Sequence, residues 1–337
     1  MRRALAACAT AGCALLLALV LPAFADGQWT GGSYTSWKGF LFYAPMVWPS
    51  RDYKLYVPAG LPKDEPAPLV VMLHGCKQDP DAFAAGTRMN QLADRHGFRV
   101  LYPRQGALQN VEHCWNWFDA ASQRGWGEAA IIAGMVEDVA KRNPVDRHRI
   151  YVAGLSAGGA MTSILASCRA DLFAAAAVHS GVAYEAATNP WTALAALEDG
   201  GSTPPDEAGR DAWKCSGSAA RAMPVIVFQG ESDTRVRPVN AGRIVGAFAQ
   251  MNDLADDGKD NDSVKAQPTS ARAETVSGQR AYLVREYAYG GKTLIREYRV
   301  EGMGHAWSGG DEAQPYNDRL GPDASALIWE FFSQHTR

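Results

Sequence analysis

The chain has 337 residues, of which 47% are hydrophobic and 20% are charged, and its formal net charge at pH 7 is −3. This balance is typical of a globular protein with a large core, and single α/β domains often reach this length. There is no strong positive charge, so we expect no nucleic-acid partner.

The first 25 residues are typical of an export signal. Arg2 and Arg3 precede a long apolar stretch that ends at Leu21, and Ala23 and Ala25 are the small residues that a signal peptidase reads. A membrane anchor is the alternative, but the apolar run ends in a proline and a cleavage site rather than in a charged stop. We therefore expect cleavage after Ala25, a secreted protein (extracellular or periplasmic) and no membrane partner after cleavage.

Strand-like and helix-like segments alternate along residues 26–337, which predicts one α/β domain whose mostly parallel sheet is flanked by helices. The predicted strands are residues 53–57, 69–73, 98–102, 149–153, 174–178, 224–228 and 295–300. The predicted helices are residues 87–96, 127–142, 157–170 and 323–335. The continuous apolar run at 69–73 indicates a strand that is buried on both faces.

Two stretches interrupt this alternation. Residues 185–222 are rich in glycine and proline and are expected to form a long connection over one edge of the sheet. Residues 253–279 are polar and acidic, which predicts an exposed loop. Their aspartates suggest calcium, but the calcium-loop template needs an oxygen ligand where Ala255 stands and a glutamate where Val264 stands. We expect no metal there.

Four cysteines follow the predicted signal: Cys76, Cys114, Cys168 and Cys215. An even number in an exported chain predicts disulfides, and three pairings are possible. We favour Cys76–Cys114 with Cys168–Cys215 because this pairing closes the shortest loops; four buried thiols are the alternative. No two of these cysteines lie two to four residues apart, which disfavours a metal site.

The strongest local signal is Gly154-Leu155-Ser156-Ala157-Gly158, which follows a predicted strand and precedes a predicted helix. This is the pattern and the context of a nucleophile elbow, a sharp turn that lifts a serine oxygen above a sheet. The turn lies at a helix N-terminus, where the helix dipole favours developing negative charge. Ser156 is the predicted nucleophile, and the N–H of Ala157 is one predicted oxyanion donor.

The second oxyanion donor should come from the loop after an earlier strand. His74-Gly75-Cys76 ends the predicted strand 69–73, and Gly75 lets the chain turn so that the N–H of Cys76 can point at the site. A disulfide at Cys76 would fix this loop. His74 stands at a strand end, where we expect it to hold loops by hydrogen bonds rather than to act as a base.

A serine nucleophile needs a base, and the base needs an orienting acid. In this architecture the chain order is serine, acid, histidine. Of the histidines after Ser156, His179 ends a predicted core strand and His335 lies in a tail that we expect to fray. His305 lies in a glycine-rich loop after a strand, so His305 is the predicted base.

The predicted acid lies in the turn after strand 224–228. Asp233 and Glu231 are both candidates. We favour Asp233, because Glu231 is too close to the strand end to reach the histidine loop.

Three tryptophans have two interpretations: Trp115, Trp117 and Trp307. In a large domain, tryptophans most often pack in the core. Because Trp307 follows His305 by two residues, a wall for an acyl or polyester chain is the other interpretation. We adopt that interpretation and expect the three indoles to contact substrate.

These residues resemble the polyhydroxybutyrate depolymerase family of secreted esterases. The matching motifs are Tyr53-Lys-Leu-Tyr-Val-Pro58, His74-Gly-Cys-Lys-Gln78, Phe83-Ala-Ala-Gly-Thr-Arg-Met-Asn90, Cys114-Trp-Asn-Trp-Phe118, Gly154-Leu-Ser-Ala-Gly-Gly159 and Gly302-Met-Gly-His-Ala-Trp-Ser-Gly-Gly310. The resemblance implies an α/β-hydrolase catalytic domain whose triad is Ser156, Asp233 and His305, and it implies the oxyanion role of Cys76. No cofactor is expected.

The family includes depolymerases of short-chain polyhydroxyalkanoates and is similar to esterases that release ferulate or acetate from plant polysaccharides. We therefore expect a monomeric ester hydrolase for polyhydroxybutyrate or its oligomers, with feruloyl or acetyl xylan esters as the alternative. A peptidase and a non-catalytic binding member of the fold are the other hypotheses. Full-length depolymerases usually append a polymer-binding domain, whereas this chain ends at Arg337. On that basis we expect oligomers or soluble esters to be better substrates than solid polymer.

Overall fold

The computed structural model describes residues 27–36 and 49–337. The predicted export signal, residues 1–25, lies outside this described part. Among the described residues, no helix has both the length and the apolar character needed to cross a bilayer.

The described chain forms a large sheet, a small two-stranded sheet and eight α-helices. The strands are β1 (Gln28–Thr35), β2 (Ser50–Val57), β3 (Ala67–Leu73), β4 (Arg99–Pro103), β5 (Val145–Leu155), β6 (Ala175–His179), β7 (Val225–Gly230), β8 (Ser270–Glu274), β9 (Tyr282–Tyr289), β10 (Lys292–Val300), β11 (Trp307–Ser308) and β12 (Asn317–Asp318). The helices are α1 (Pro80–Thr87), α2 (Met89–His96), α3 (Gly127–Arg142), α4 (Ala157–Cys168), α5 (Pro190–Asp199), α6 (Pro205–Ser216), α7 (Val239–Asp257) and α8 (Ala324–Ser333).

The large sheet has the strand order β1-β2-β4-β3-β5-β6-β7-β10-β9-β8. The six strands from β4 to β10 in this order are parallel to their neighbours. The two strands at each edge pair antiparallel. The predicted mostly parallel sheet is confirmed, and the carboxyl ends of its central strands meet at one edge, where binding sites form in open α/β sheets.

Both faces of the sheet are covered by helices, as β3 illustrates. All seven residues of β3 are buried. Leu69, Val71 and Leu73 face a core that includes α3, α4 and α7, whereas Val70 and Met72 face a second core that includes α1, α2 and α8. The side chains of a strand alternate between faces, so a strand between two helical layers needs a continuous apolar run.

Residues 185–222 were expected to form a long connection, and no helix was predicted there, but they contain α5 and α6. The side chain of Asn189 caps α5 by accepting hydrogen bonds from the amides of Trp191 and Thr192. Pro190 and Pro205 stand in the first turns of the two helices. A proline is favoured there because the amide it lacks would have no partner within the helix.

The prediction of an exposed loop at 253–279 is also partly wrong. Helix α7 extends to Asp257, and β8 pairs with β9 at the sheet edge. Asp253 is buried, and its carboxylate accepts hydrogen bonds from the amides of Asn261, Ser263 and Val264. Within residues 27–36 and 49–337, no group of three or more His, Cys, Asp or Glu side chains could hold a metal ion.

Two smaller predictions need correction. The helix predicted at 87–96 is α2, which begins at Met89, and the preceding α1 was not predicted; Arg88, with φ 55°, separates the two helices. The C-terminal tail does not fray: the carbonyl of His335 accepts a 2.9 Å hydrogen bond from the Tyr151 hydroxyl. The amide of Arg337 donates to the carbonyl of His148 at 3.0 Å.

The two predicted disulfides are confirmed. Cys76–Cys114 ties the loop after β3 to the loop that follows β4. Cys168–Cys215 joins the end of α4 to α6. One disulfide therefore restrains the loop next to Ser156, and the other restrains the helical layer.

Candidate active site

Ser156 occupies a strained turn between β5 and α4. Its backbone has φ 58° and ψ −119°, a conformation that side-chain-bearing residues rarely adopt. Its amide donates a 3.0 Å hydrogen bond to the carbonyl of His179, which holds the turn against β6. The side chain borders a cavity of about 150 Å³.

The flanking glycines are required by the close approach of three elements at this turn. A Cβ atom added at Gly158 would lie 2.1 Å from the carbonyl oxygen of Leu73 in β3. A Cβ atom added at Gly154 would lie 2.3 Å from the carbonyl oxygen of Gly158. Both distances are far below van der Waals contact, so the glycines of the motif are explained by packing as well as by the turn.

Asp233 and His305 form a pair at the edge of the same cavity. The Nδ1 atom of His305 lies 2.7 Å from Oδ2 of Asp233. The other carboxylate oxygen accepts hydrogen bonds from the amides of Arg235 and Val236, both at 2.9 Å. Burial by itself would raise the pKa of Asp233, but the hydrogen bonds from His305 and the two amides lower it overall. The carboxylate is therefore ionised at neutral pH.

Glu231 is directed elsewhere. Its carboxylate forms an ion pair with Arg299, with Oε1 2.6 Å from Nε and Oε2 3.1 Å from Nη2. The structure therefore places Asp233, and not Glu231, against His305.

The other two site-proximal histidines are buried and hold loops in place. His74 accepts a 3.1 Å hydrogen bond from the amide of Gln105, and His179 accepts a 2.9 Å hydrogen bond from the amide of Ser308. Burial lowers the pKa of His74 to about 4 and that of His179 to about 3, so both imidazoles are neutral near pH 7. These contacts agree with the structural roles that we predicted.

The loop after β3 brings Gly75 and Cys76 to the cavity beside Ser156. Gln78 fixes this loop, because its Oε1 accepts a 2.9 Å hydrogen bond from the amide of Gly75. In the described part of the chain, no protein acceptor receives the N–H of Cys76 or of Ala157. Neither N–H is therefore used within the described fold.

The three tryptophans do not form the cavity wall that we expected. All are buried in the core, and none lines the cavity. Trp115 packs against His74, with ring centroids 5.6 Å apart. Trp307 stacks on His179 with centroids 4.9 Å apart, and its indole N–H donates to Ser325 Oγ. The position of Trp307 two residues after His305 does not direct its side chain towards the site.

The remaining cavity walls come from residues to which the sequence analysis assigned no role. They are Lys77, Gln78, Leu155, Leu197, Arg235, Val236 and Tyr316. The guanidinium of Arg235 lies over the ring of Tyr316, 5.7 Å from its centroid. Of these residues, only Lys77, Gln78 and Leu155 stand in quoted motifs, and the others are brought together by tertiary packing.

Residues 51–268 match the protein-family model described as Esterase PHB depolymerase. The chain belongs to this family. It is 33% identical over 252 residues to poly(3-hydroxyalkanoate) depolymerase C of Paucimonas lemoignei, a match that covers 74% of this chain and 57% of that protein. This chain thus spans little more than half of that depolymerase.

A curated feruloyl esterase and a solved acetyl xylan esterase are also similar to this chain. Feruloyl esterase B of Neurospora crassa is 30% identical over 239 residues, covering 68% of this chain and 78% of that protein. The solved acetyl xylan esterase from Aspergillus awamori superposes with a TM-score of 0.69 at 21% identity, covering 90% of this chain and 99% of that chain. This likeness shows the α/β-hydrolase fold.

Proposed function

We propose that this member of the Esterase PHB depolymerase family is a serine carboxylic ester hydrolase. The observation that carries the proposal is the Asp233–His305 pair, 2.7 Å apart, at a cavity that also contains Ser156. Two unpaired amides, those of Cys76 and Ala157, lie in the segments beside that serine. A nucleophile, a base, an orienting acid and oxyanion donors around one cavity are the parts that acyl transfer needs.

Each residue then has a defined step. The Oγ atom of Ser156 attacks the ester carbonyl carbon while His305 takes its proton. The amides of Cys76 and Ala157 stabilise the negative charge that develops on the carbonyl oxygen. His305 next protonates the leaving alcohol, and it then activates the water that hydrolyses the acyl-enzyme. Asp233 holds the imidazole in the required tautomer and stabilises its positive charge.

The first substrate class is a short-chain hydroxyalkanoate ester, in polymer or oligomer. The cavity, about 150 Å³, is smaller than the roughly 300–1,000 Å³ of sites for drug-sized ligands. Its apolar walls include Leu197 and Val236. This size favours a short aliphatic acyl group, and the depolymerase from Paucimonas lemoignei is a relative at 33% identity.

The second candidate is an acetyl or feruloyl ester of a plant polysaccharide. A small acyl cavity also accepts acetate, and a feruloyl esterase is among the relatives at 30% identity.

Hydrolysis of amorphous polyhydroxybutyrate granules, acetylated xylan and methyl ferulate separates these substrates. Each is measured with wild type and with Ser156→Ala. We expect turnover of the polyester that the variant loses. Turnover of xylan or ferulate alone would move the substrate to the polysaccharide esters, and turnover that survives in Ser156→Ala would contradict the mechanism.

Export is also part of the proposal. Two disulfides fit an oxidising compartment outside the cytoplasm. Secretion by a Gram-negative or Gram-positive host, followed by N-terminal sequencing, should give a mature chain that starts at Asp26. A chain that keeps Met1 would contradict the predicted signal.

A further inference from the structure

The cavity beside Ser156 has a positively charged lining. Lys77 and Arg235 border it, whereas none of the lining residues in the described part of the chain is an aspartate or a glutamate. The whole chain, in contrast, has a formal net charge of −3. A cleft lined by one sign of charge attracts ligands of the opposite sign. A neutral ester does not use this charge, because its hydrolysis needs only the triad and the oxyanion donors.

The two cations differ in what they contact. The Nζ atom of Lys77 lies 3.2 Å from a carboxylate oxygen of Glu112, so the charge of Lys77 is already paired. The exposed guanidinium of Arg235 lies over the ring of Tyr316 and forms no hydrogen bond or ion pair with any other described residue. A guanidinium matches the geometry of a carboxylate, to which it donates two parallel hydrogen bonds. Arg235 is therefore the cation with unused capacity for an anionic ligand.

The position of Arg235 is tied to that of the base. Asp233 accepts a 2.9 Å hydrogen bond from the amide of Arg235 on Oδ1, and its Oδ2 lies 2.7 Å from Nδ1 of His305. The ring of Tyr316 contacts both partners: the guanidinium lies over its face, and the imidazole packs edge-on against it with centroids 6.5 Å apart. One carboxylate and one aromatic ring thus hold the base and the unpaired cation side by side.

This arrangement determines which part of an ester meets Arg235. In the proposed mechanism His305 protonates the leaving alcohol oxygen, so the alcohol portion of the ester lies on the His305 side of the cavity. The carbonyl oxygen lies on the other side, at the amides of Cys76 and Ala157. A group that the alcohol carries a few atoms from the ester oxygen is therefore within reach of the Arg235 guanidinium.

We propose that Arg235 binds the free carboxylate at the end of a hydroxyalkanoate oligomer, so that the terminal hydroxy acid is released. This proposal rests on the proposed ester hydrolase function and adds which ester of the oligomer is cleaved. In a terminal 3-hydroxybutyrate unit, only two carbon atoms separate the ester oxygen from the carboxylate carbon. His305 gives that oxygen the proton taken from Ser156, and the hydroxy acid leaves with its carboxylate on Arg235. An ester inside a polymer, or an acetyl ester of a neutral polysaccharide, offers no such carboxylate.

Steady-state kinetics on two soluble dimers test the carboxylate contact. The 3-hydroxybutyrate dimer carries a free carboxylate on its alcohol portion, and the terminal carboxamide of the same dimer has nearly the same shape without the charge. Wild type should cleave the acid with a kcat/KM at least about tenfold above that for the amide, because the amide cannot form a charge-assisted pair with a guanidinium. Added salt should reduce this preference, since it screens an exposed charge.

Substitutions at Arg235 test which cation is responsible. Arg235→Gln keeps the backbone amide that Asp233 accepts and removes the charge, so kcat/KM for the acid should fall about 10–100-fold and the preference for the acid should disappear. Arg235→Lys should restore part of the preference. The matched control is Arg237→Gln, because Arg237 is exposed on the same segment but does not line the cavity. This control should keep the preference of wild type.

A tetramer acetylated at its hydroxyl end shows which ester is cleaved first. Mass spectrometry should find free 3-hydroxybutyrate and the acetylated trimer as the first products of wild type, and more internal cleavage by Arg235→Gln. Internal cleavage first in wild type, equal kcat/KM for the two dimers, or a preference for the acid that survives in Arg235→Gln would overturn the proposal. Failure of wild type on both dimers and on p-nitrophenyl butyrate would instead contradict the ester hydrolase function itself.

Discussion

The elbow around Ser156 and the exposed segments that carry Trp191 and Leu108 differ in what fixes them. At the elbow, every residue of α4 is buried, and Gly158 packs so closely on β3 that no side chain would fit. Trp191, on α5, and Leu108, between β4 and Cys114, are almost fully exposed. The comparison indicates that packing of the core fixes the reacting groups, whereas these exposed side chains are not held by it. Changes near the elbow should therefore alter chemistry or stability, and changes at Trp191 or Leu108 should leave the stability of the fold nearly unchanged.

The largest expected effect is on the acid. Asp233→Asn leaves the shape of the turn but removes the charge that orients His305, so kcat should fall by about 10³–10⁴-fold. Steady-state kinetics on p-nitrophenyl butyrate measures this. Glu231→Gln is the matched control two residues away, and it should change kcat less than about threefold because Glu231 pairs with Arg299 at the surface.

Removing each disulfide in turn distinguishes effects on stability alone from effects on both stability and catalysis. Replacing Cys168 and Cys215 together by alanine should lower the free energy of unfolding by about 3–4 kcal/mol, with kcat retained. Replacing Cys76 and Cys114 should lower it by a similar amount and should also reduce kcat, because Cys76 belongs to the oxyanion loop. Urea denaturation and kinetics measure both. Equal effects of the two pairs on kcat would contradict the distinction between the regions.

A smaller effect is expected at Gln78, which positions the oxyanion loop through the amide of Gly75. Gln78→Met keeps the volume and removes the acceptor, so kcat should fall about 10–100-fold while KM changes little. Gln279→Met, at an exposed position before β9, is the control. A loss of thermal stability with normal kcat would indicate that Gln78 has only a packing role.

The most gradual effect is on stability as a function of pH. Unfolded histidine titrates near pH 6.5, whereas burial lowers the pKa of His74 to about 4 and that of His179 to about 3 in the folded protein. Between pH 6.5 and these lower pKa values, the unfolded chain binds more protons than the folded protein does. The free energy of unfolding should therefore fall as the pH drops from about 6.5 to about 4, by roughly 1 kcal/mol per pH unit for each histidine.

Urea denaturation at several pH values measures this slope. His179→Gln should flatten it, whereas His96→Gln, at an exposed position, should not. The contribution of Asp233 lies in a separate window: its folded pKa is lowered, so its stabilisation is lost only as the pH falls below about 3.9. A slope in wild type that His179→Gln leaves unchanged would contradict the structural role of this histidine.

The central fold could be predicted because its sequence signals are local. The apolar run of β3 reflects burial on both faces of that strand. The glycines around Ser156 reflect backbone contacts that leave no room for a side chain at those positions. The helices α5 and α6 were missed because the glycines and prolines of residues 185–222 were interpreted as signs of a connection, although Pro190 and Pro205 stand in the first turns of these helices, where proline is favoured. The start of α5 also carried a usable signal, the capping residue Asn189.

The cavity walls could not be predicted for a different reason. Leu197, Arg235 and Tyr316 meet only through the tertiary structure, so no spacing in the sequence joins them. Trp307 shows the opposite error: it is near His305 along the chain, but its ring packs on His179 in the core. Nearness in sequence places a backbone at a site and does not fix the direction of a side chain.

The most direct test of the account is to find out which residue is the nucleophile. Wild type, Ser156→Ala and His305→Gln are treated with a fluorophosphonate, digested and examined by mass spectrometry. We predict one adduct in wild type, on the peptide that contains Ser156, with labelling lost in Ser156→Ala and strongly slowed in His305→Gln. An adduct on another residue, or no adduct on a protein that still hydrolyses esters, would contradict the account.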